Sequence, residues 1–176
     1  MESSPIGMSH PSRWLALLRI VIGLYFAKAI WTKMTVALFG GFLPVPAVQD
    51  RWLQVMPIIV AKQASGNPIL FYKQFLEQTV IPNAPVFARL AAWGEVIVGI
   101  GLTLGLFTRV AALIGLWLAL NYGLATQWQA PGQLGFHLVL GTSMIVFFLA
   151  RAGREWGLDG WLAWRFPGAW YTKIFG

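Results

Sequence analysis

Four apolar runs decide what this chain can be. They lie near 14–34, 86–106, 109–126 and 134–150. Each approaches the roughly 20 residues that an α-helix needs to cross a hydrocarbon core at about 1.5 Å per residue. Backbone in lipid must satisfy its own hydrogen bonds, so runs of this kind fold as helices. Composition agrees: 57% of the 176 residues are hydrophobic and 11% are charged, against about 25% charged in a soluble domain. The mean hydropathy is +0.65. The predicted fold class is all-α, an integral membrane four-helix bundle forming a single domain over 1–176. Arg13 precedes the first run, but no small-residue cleavage site follows it, so that span is expected to be retained.

Four spans place both termini on one side. Arg13, Arg109, Arg151, Arg154, Arg165 and Lys173 would share that side, whereas the 127–133 loop carries no charge. The connection after the first span holds Lys33, Arg51, Lys62, Lys73 and Arg89, but long loops weigh less in the positive-inside rule. Both termini are therefore expected in the cytoplasm, with the long connection outside.

That connection, 35–85, is too long for a simple link. Prolines 44, 46, 57, 68, 82 and 85 punctuate it, and 48–62 and 69–80 are apolar enough for short helices. Phe71, Tyr72, Phe75 and Leu76 fall on one face of the second. These helices either lie at the membrane interface or form a lid over an outward site. In the tail, 151–176, Trp161, Trp164, Trp170 and Tyr171 read as headgroup anchors. Asp159 is placed to cap a short helix over 160–165.

The chain has no cysteine, which excludes disulfides, thiol relays and cysteine-held metals. His10 and His137 are its two histidines. No metal site and no covalently bound cofactor are predicted. The net charge of +7 sits at the ends of apolar runs, so the lipid bilayer and not nucleic acid is the expected partner.

One residue breaks the second run. Glu95 stands in Ala91-Ala92-Trp93-Gly94-Glu95-Val96-Ile97-Val98-Gly99 with no other charge nearby. An ionised carboxylate in hydrocarbon must be paired, neutralised or facing a wet cavity. Ala88, Ala91, Ala92, Val98, Gly99 and Leu102 share its helical face, and Trp93, Ile97, Ile100 and Leu104 take the other. Glu95 should thus point into the bundle. Arg19 and Lys28, nine residues apart, face opposite ways. Arg19 shares its face with Gly23 and is favoured as the ion-pair partner of Glu95, while the axial offset suits Lys28. Asn121, Tyr122 and His137 fall at compatible depth. They form either a polar pocket with Glu95 or isolated structural groups.

Several of these pieces resemble the DoxX family: Leu18-Arg19-Ile20 with Gly23, Asn67-Pro68, Phe71-Tyr72-Lys73-Gln74-Phe75-Leu76, Pro82-Asn83, Gly94-Glu95, Gly105, Thr108-Arg109-Val110-Ala111-Ala112, Asn121-Tyr122, and Gly153-Arg154 with Gly157-Leu158-Asp159. The family includes DoxD, the small subunit of thiosulfate:quinone oxidoreductase, which works beside a second subunit, DoxA. The resemblance implies a multi-pass protein of a prokaryotic plasma membrane, partner subunits, and quinone as a diffusible cofactor. Glu95, His137 and Tyr122 are then the candidate catalytic groups. Tyr122, His137 and Asn121 would hydrogen-bond the ring, and Lys33, Lys73 or Arg89 could meet an anionic thiosulfate. Two further readings stand beside this one: a non-catalytic accessory subunit, and a transporter, which the lack of a repeat disfavours.

Overall fold

The computed structural model describes residues 11–170. His10, Tyr171 and Lys173 lie outside the described residues. Within them, four helical spans fall within one turn of the four apolar runs: Pro11–Thr32, Ala84–Leu104, Thr108–Thr126 and Pro131–Leu149. The first is broken at Lys28 into α1 (Pro11–Ala27) and α2 (Ala29–Thr32). The other three are α5 (Ala84–Leu104), α6 (Thr108–Thr126) and α7 (Pro131–Leu149). Prolines open α5 and α7, where a missing N–H costs nothing. Gly105 ends α5 in the left-handed region at φ 63°.

The spans pack in a row, α1 on α5, α5 on α6, and α6 on α7. Small residues set the spacing. Gly23 meets the backbone of Leu102 and Thr103, and Gly99 meets that of Ala27, so closely that no Cβ would fit at either glycine. The face of α5 that carries Glu95 is the buried one: Ala88, Ala92, Val98 and Leu102 are inaccessible, whereas Trp93, Ile97, Ile100 and Leu104 are exposed. Phe26, Val98, Leu102, Leu118, Met144 and Phe147 fill the centre.

The fold is mostly helical rather than wholly so. An antiparallel hairpin, β1 (Met34–Phe39) with β2 (Leu43–Val48), begins the long connection. Gly40 and Gly41, both at positive φ, close the turn. Pro44 and Pro46 stand opposite Leu38 and Val36; prolines forbid a helix there and are tolerated because β2 is an edge strand. The alternation of this segment is short beside the helical patterns that flank it, so periodicity alone does not predict the hairpin.

The two expected short helices are present as α3 (Asp50–Ser65) and α4 (Leu70–Phe75), the latter continuing as a π-helical turn over Leu76–Val80. They do more than lie at an interface. Met56, Val60, Ala64, Tyr72 and Leu76 bury in a second core with Ala84, Ala88 and Ala125, so α3 and α4 roof one end of the bundle. The predicted aromatic face is split: Tyr72 and Leu76 point in, and Phe71 points out.

The opposite end is held by α8 (Leu158–Arg165). Asp159 lies in its first turn and does not cap it. Its carboxylate instead accepts the backbone N–H groups of Phe107 at 2.7 Å and Thr108 at 2.9 Å, capping α6. The carboxylate is drawn to that N-terminus by its partial positive charge. The Asp159 N–H in turn donates to the Gly105 carbonyl.

Candidate functional site

The break at Lys28 and the hairpin behind it hold Lys33 beside the middle of α5. Its ammonium straddles the Glu95 carboxylate at 2.7 Å and lies 4.0 Å from the centre of the Trp52 ring. The Tyr122 hydroxyl donates to Glu95 Oε1, also at 2.7 Å. Short contacts of this kind are charge-assisted and strong. Glu95 and Lys33 are both largely withdrawn from solvent, so the carboxylate is held by a cation from the connection and a phenol from α6.

The predicted Arg19–Glu95 pair is therefore incorrect. The reason is axial register. α1 and α5 run antiparallel with Gly23 beside Thr103 and Ala27 beside Gly99, which sets Trp31 opposite Glu95. Arg19 is then roughly 18 Å further along the bundle. It is fully buried there, with Nη2 donating to the Trp156 carbonyl at 2.9 Å, against Gly105 and Gly157. Lys28, the alternative, sits 4.1 Å over the Tyr25 ring instead.

Glu95, Lys33 and Tyr122 line a cavity of about 620 Å³ with His137 and Lys28. Trp52, Met56 and Val60 of α3 form its roof, and Tyr25, Phe26, Phe136 and Leu140 its side. His137 Nδ1 is 2.9 Å from the Gln133 carbonyl. A proton on Nδ1 makes that bond and leaves Nε2 bare in the neutral ring, so Nε2 becomes a donor only when the imidazole is charged.

Three of the sequence-predicted residues, Glu95, Tyr122 and His137, are thus brought to one cavity, and Asn121 is not. Its carbonyl and side-chain oxygen accept from the Tyr72 hydroxyl at 2.9 and 3.2 Å, and its Nδ2 donates to the Trp117 carbonyl at 2.8 Å. Burial pushes the Tyr72 pKa up to about 12, so that hydroxyl remains a donor. Of the cations considered for an anion, Lys33 reaches the cavity. Lys73 lies 3.9 Å from Glu77, and Arg89 bonds the Pro85 carbonyl. Sequence reasoning missed Lys33 as the partner and Trp52 as its platform. The signal available was the unpaired carboxylate together with a lysine just beyond the first span.

The roof is tied down at both ends. Gln49 Nε2 donates to the Trp31 and Met34 carbonyls, and Trp52 Nε1 to the Ala88 carbonyl. Beyond α3, Asn67 Nδ2 donates to the Leu124 carbonyl at 2.9 Å. Gly66 stands so close to the Trp128 ring that a Cβ would collide with it.

No curated protein and no solved structure matches the chain. A family model described as DoxX matches residues 14–128, which include Lys33, Glu95 and Tyr122; His137 and the Gly153–Asp159 segment lie outside the match. With four spans, a buried Gly94-Glu95 and most of its length covered, the chain belongs to the DoxX family, as a candidate four-span membrane protein.

Proposed function

We propose that this chain is the membrane subunit of a quinone-linked oxidoreductase and that the roofed cavity holds the quinone ring. The observation that carries the reading is the convergence of Lys33, Glu95, Tyr122 and His137 on one largely apolar cavity of about 620 Å³. The walls suit such a ring: Phe26, Val60, Phe136 and Leu140 offer apolar surface, Lys28 and Lys33 offer N–H donors, and the His137 ring adds a nitrogen that can accept or donate. A bound quinone would supply the two-electron acceptor. The chain's own residues supply proton chemistry. His137 Nε2 can carry a proton while Nδ1 stays on the Gln133 carbonyl. Tyr122 and Lys33 share Glu95, so either can turn a donor towards the ring while the other keeps the carboxylate bonded. Electrons would enter from a partner subunit, and the likeness to DoxD makes thiosulfate the first reductant to test.

One observation favours an accessory role instead. Glu95 is fully held by Lys33 and Tyr122, as a lock that specifies the fold would be. The native complex, purified in mild detergent from cells expressing wild type, Tyr122→Phe or His137→Leu, separates the two. Quinone content and quinone reduction should fall in both variants, with Tyr122→Phe weakening binding by about 1 kcal/mol. Full retention in both, with loss of a larger complex when the chain is deleted, would make the accessory reading correct.

A further inference from the structure

We propose that the cavity opens sideways into the bilayer between α1 and α7, through a gate formed by Tyr25 and Phe136. Its ligand is then an amphiphile whose polar ring sits inside while its apolar tail stays in lipid. This rests on the ring-binding reading for the identity of the ligand but not for the opening itself.

Above and below, the cavity meets packed structure, although beside α3 its lining continues through Gln63, Gly132 and Gln133. α3 covers the end of the bundle and is fastened at Gln49, Trp52, Gly66 and Asn67, so it does not act as a hinged lid. The opposite direction is filled by the central core, where Leu102, Met144 and Phe147 are inaccessible. Around the bundle, α1 packs on α5, α5 on α6 and α6 on α7, but α1 and α7 lack comparable backbone packing. What spans that seam is a pair of rings. Tyr25 and Phe136 meet edge to face with centroids 5.7 Å apart, and both line the cavity. Each is also more than two fifths exposed, at 43% and 44%. The wall is therefore one side chain thick. Both rings lie inside predicted spans; Phe136 is five residues from the start of α7, about 8 Å into the helix. Ring flips and rotamer changes in partly exposed aromatics are fast, so such a wall can part without moving a helix. Lys28, over the Tyr25 ring, would meet the polar end of an entering molecule.

The absence of cysteine allows a direct test. In nanodiscs, Ala91→Cys places one thiol on the far wall of the cavity, and Leu120→Cys places one on the exposed surface of α6. N-hexadecylmaleimide, confined to the lipid, should label both. Adding Phe136→Trp should slow labelling at Ala91→Cys at least tenfold and Phe136→Ala should speed it, with Leu120→Cys unaffected by either. Failure to label Ala91→Cys, or a rate indifferent to residue 136, overturns the lateral opening, and neither result depends on quinone. A fully substituted benzoquinone with a ten-carbon tail, which offers thiols no open ring position, should then protect Ala91→Cys better than the same ring with a methyl group in place of the tail. Equal protection by the tailless ring overturns the tail assignment. Protection by neither overturns the ligand class, along with the ring-binding reading, while leaving the opening decided by the labelling rates.

Discussion

Lys33 and Glu95 show how one residue's choice of partner fixes local energetics. The two are largely desolvated, and breaking such a pair leaves a charge without compensation. Lys33→Met should destabilise the detergent-solubilised protein by on the order of 3 kcal/mol, read as a fall in thermal midpoint. Glu95→Gln should cost less, because the amide oxygen still accepts from Tyr122. The double variant Lys33→Met with Glu95→Gln should recover part of the summed loss, whereas Arg19→Met combined with Glu95→Gln should be additive within about 0.5 kcal/mol. Additivity for the first pair and coupling for the second would reverse the assignment. The glutamate was legible in the sequence as a carboxylate needing a partner inside the bundle. The partner was not, because helical periodicity gives the direction of a side chain and says nothing of how far one helix slides along another.

At the scale of elements, the tail is a clasp. α8 brings Asp159 to the N-terminus of α6, and Gly105, Gly153 and Gly157 clear the space it needs: a Cβ on Gly153 would strike Thr108 and Asp159, and one on Gly157 the Gly153 carbonyl. Gly105 also stands at φ 63°, where any other residue is strained. Asp159→Ala removes two charge-assisted bonds and should cost about 3 kcal/mol. Asp159→Asn should cost less, since the amide oxygen can still accept one N–H. Gly153→Ala should be as harmful as Asp159→Ala despite adding one methyl, because the side chains it would strike are themselves fully packed. Limited proteolysis of the tail, compared between wild type and the three variants, gives the same ranking if the clasp is the cause. Asp159 was visible beforehand as a capping residue, assigned to its own short helix over 160–165. Which helix it caps was not, since a cap across 51 residues has no local pattern.

For the whole molecule, the described residues place the hairpin, α3 and α4 at one end and α8 at the other. With an even number of spans and the basic residues gathered around α8, the C-terminus should be cytoplasmic and the roofed end outside. Reporter fusions after Gly176 and within 66–68 should therefore report opposite compartments; the same compartment for both would break the four-span topology. The number of spans, their limits to within a turn, and the buried face of α5 followed from the sequence alone. Hydropathy and helical periodicity are local properties, written residue by residue, and a continuous apolar run of about 20 residues satisfies its backbone hydrogen bonds in lipid as a helix. The hairpin, the Lys33–Glu95–Tyr122 contact, the diversion of Asn121 to Tyr72 and the thin wall at Tyr25 and Phe136 were decided only by tertiary structure. Apart from the hairpin, each depends on how the helices are set against one another, and between α1 and α5 that register is set by where glycines let backbones touch, as Gly23 does with Thr103 and Gly99 with Ala27. A pattern of small residues announces that two helices approach closely, but only the packed molecule shows which turn meets which.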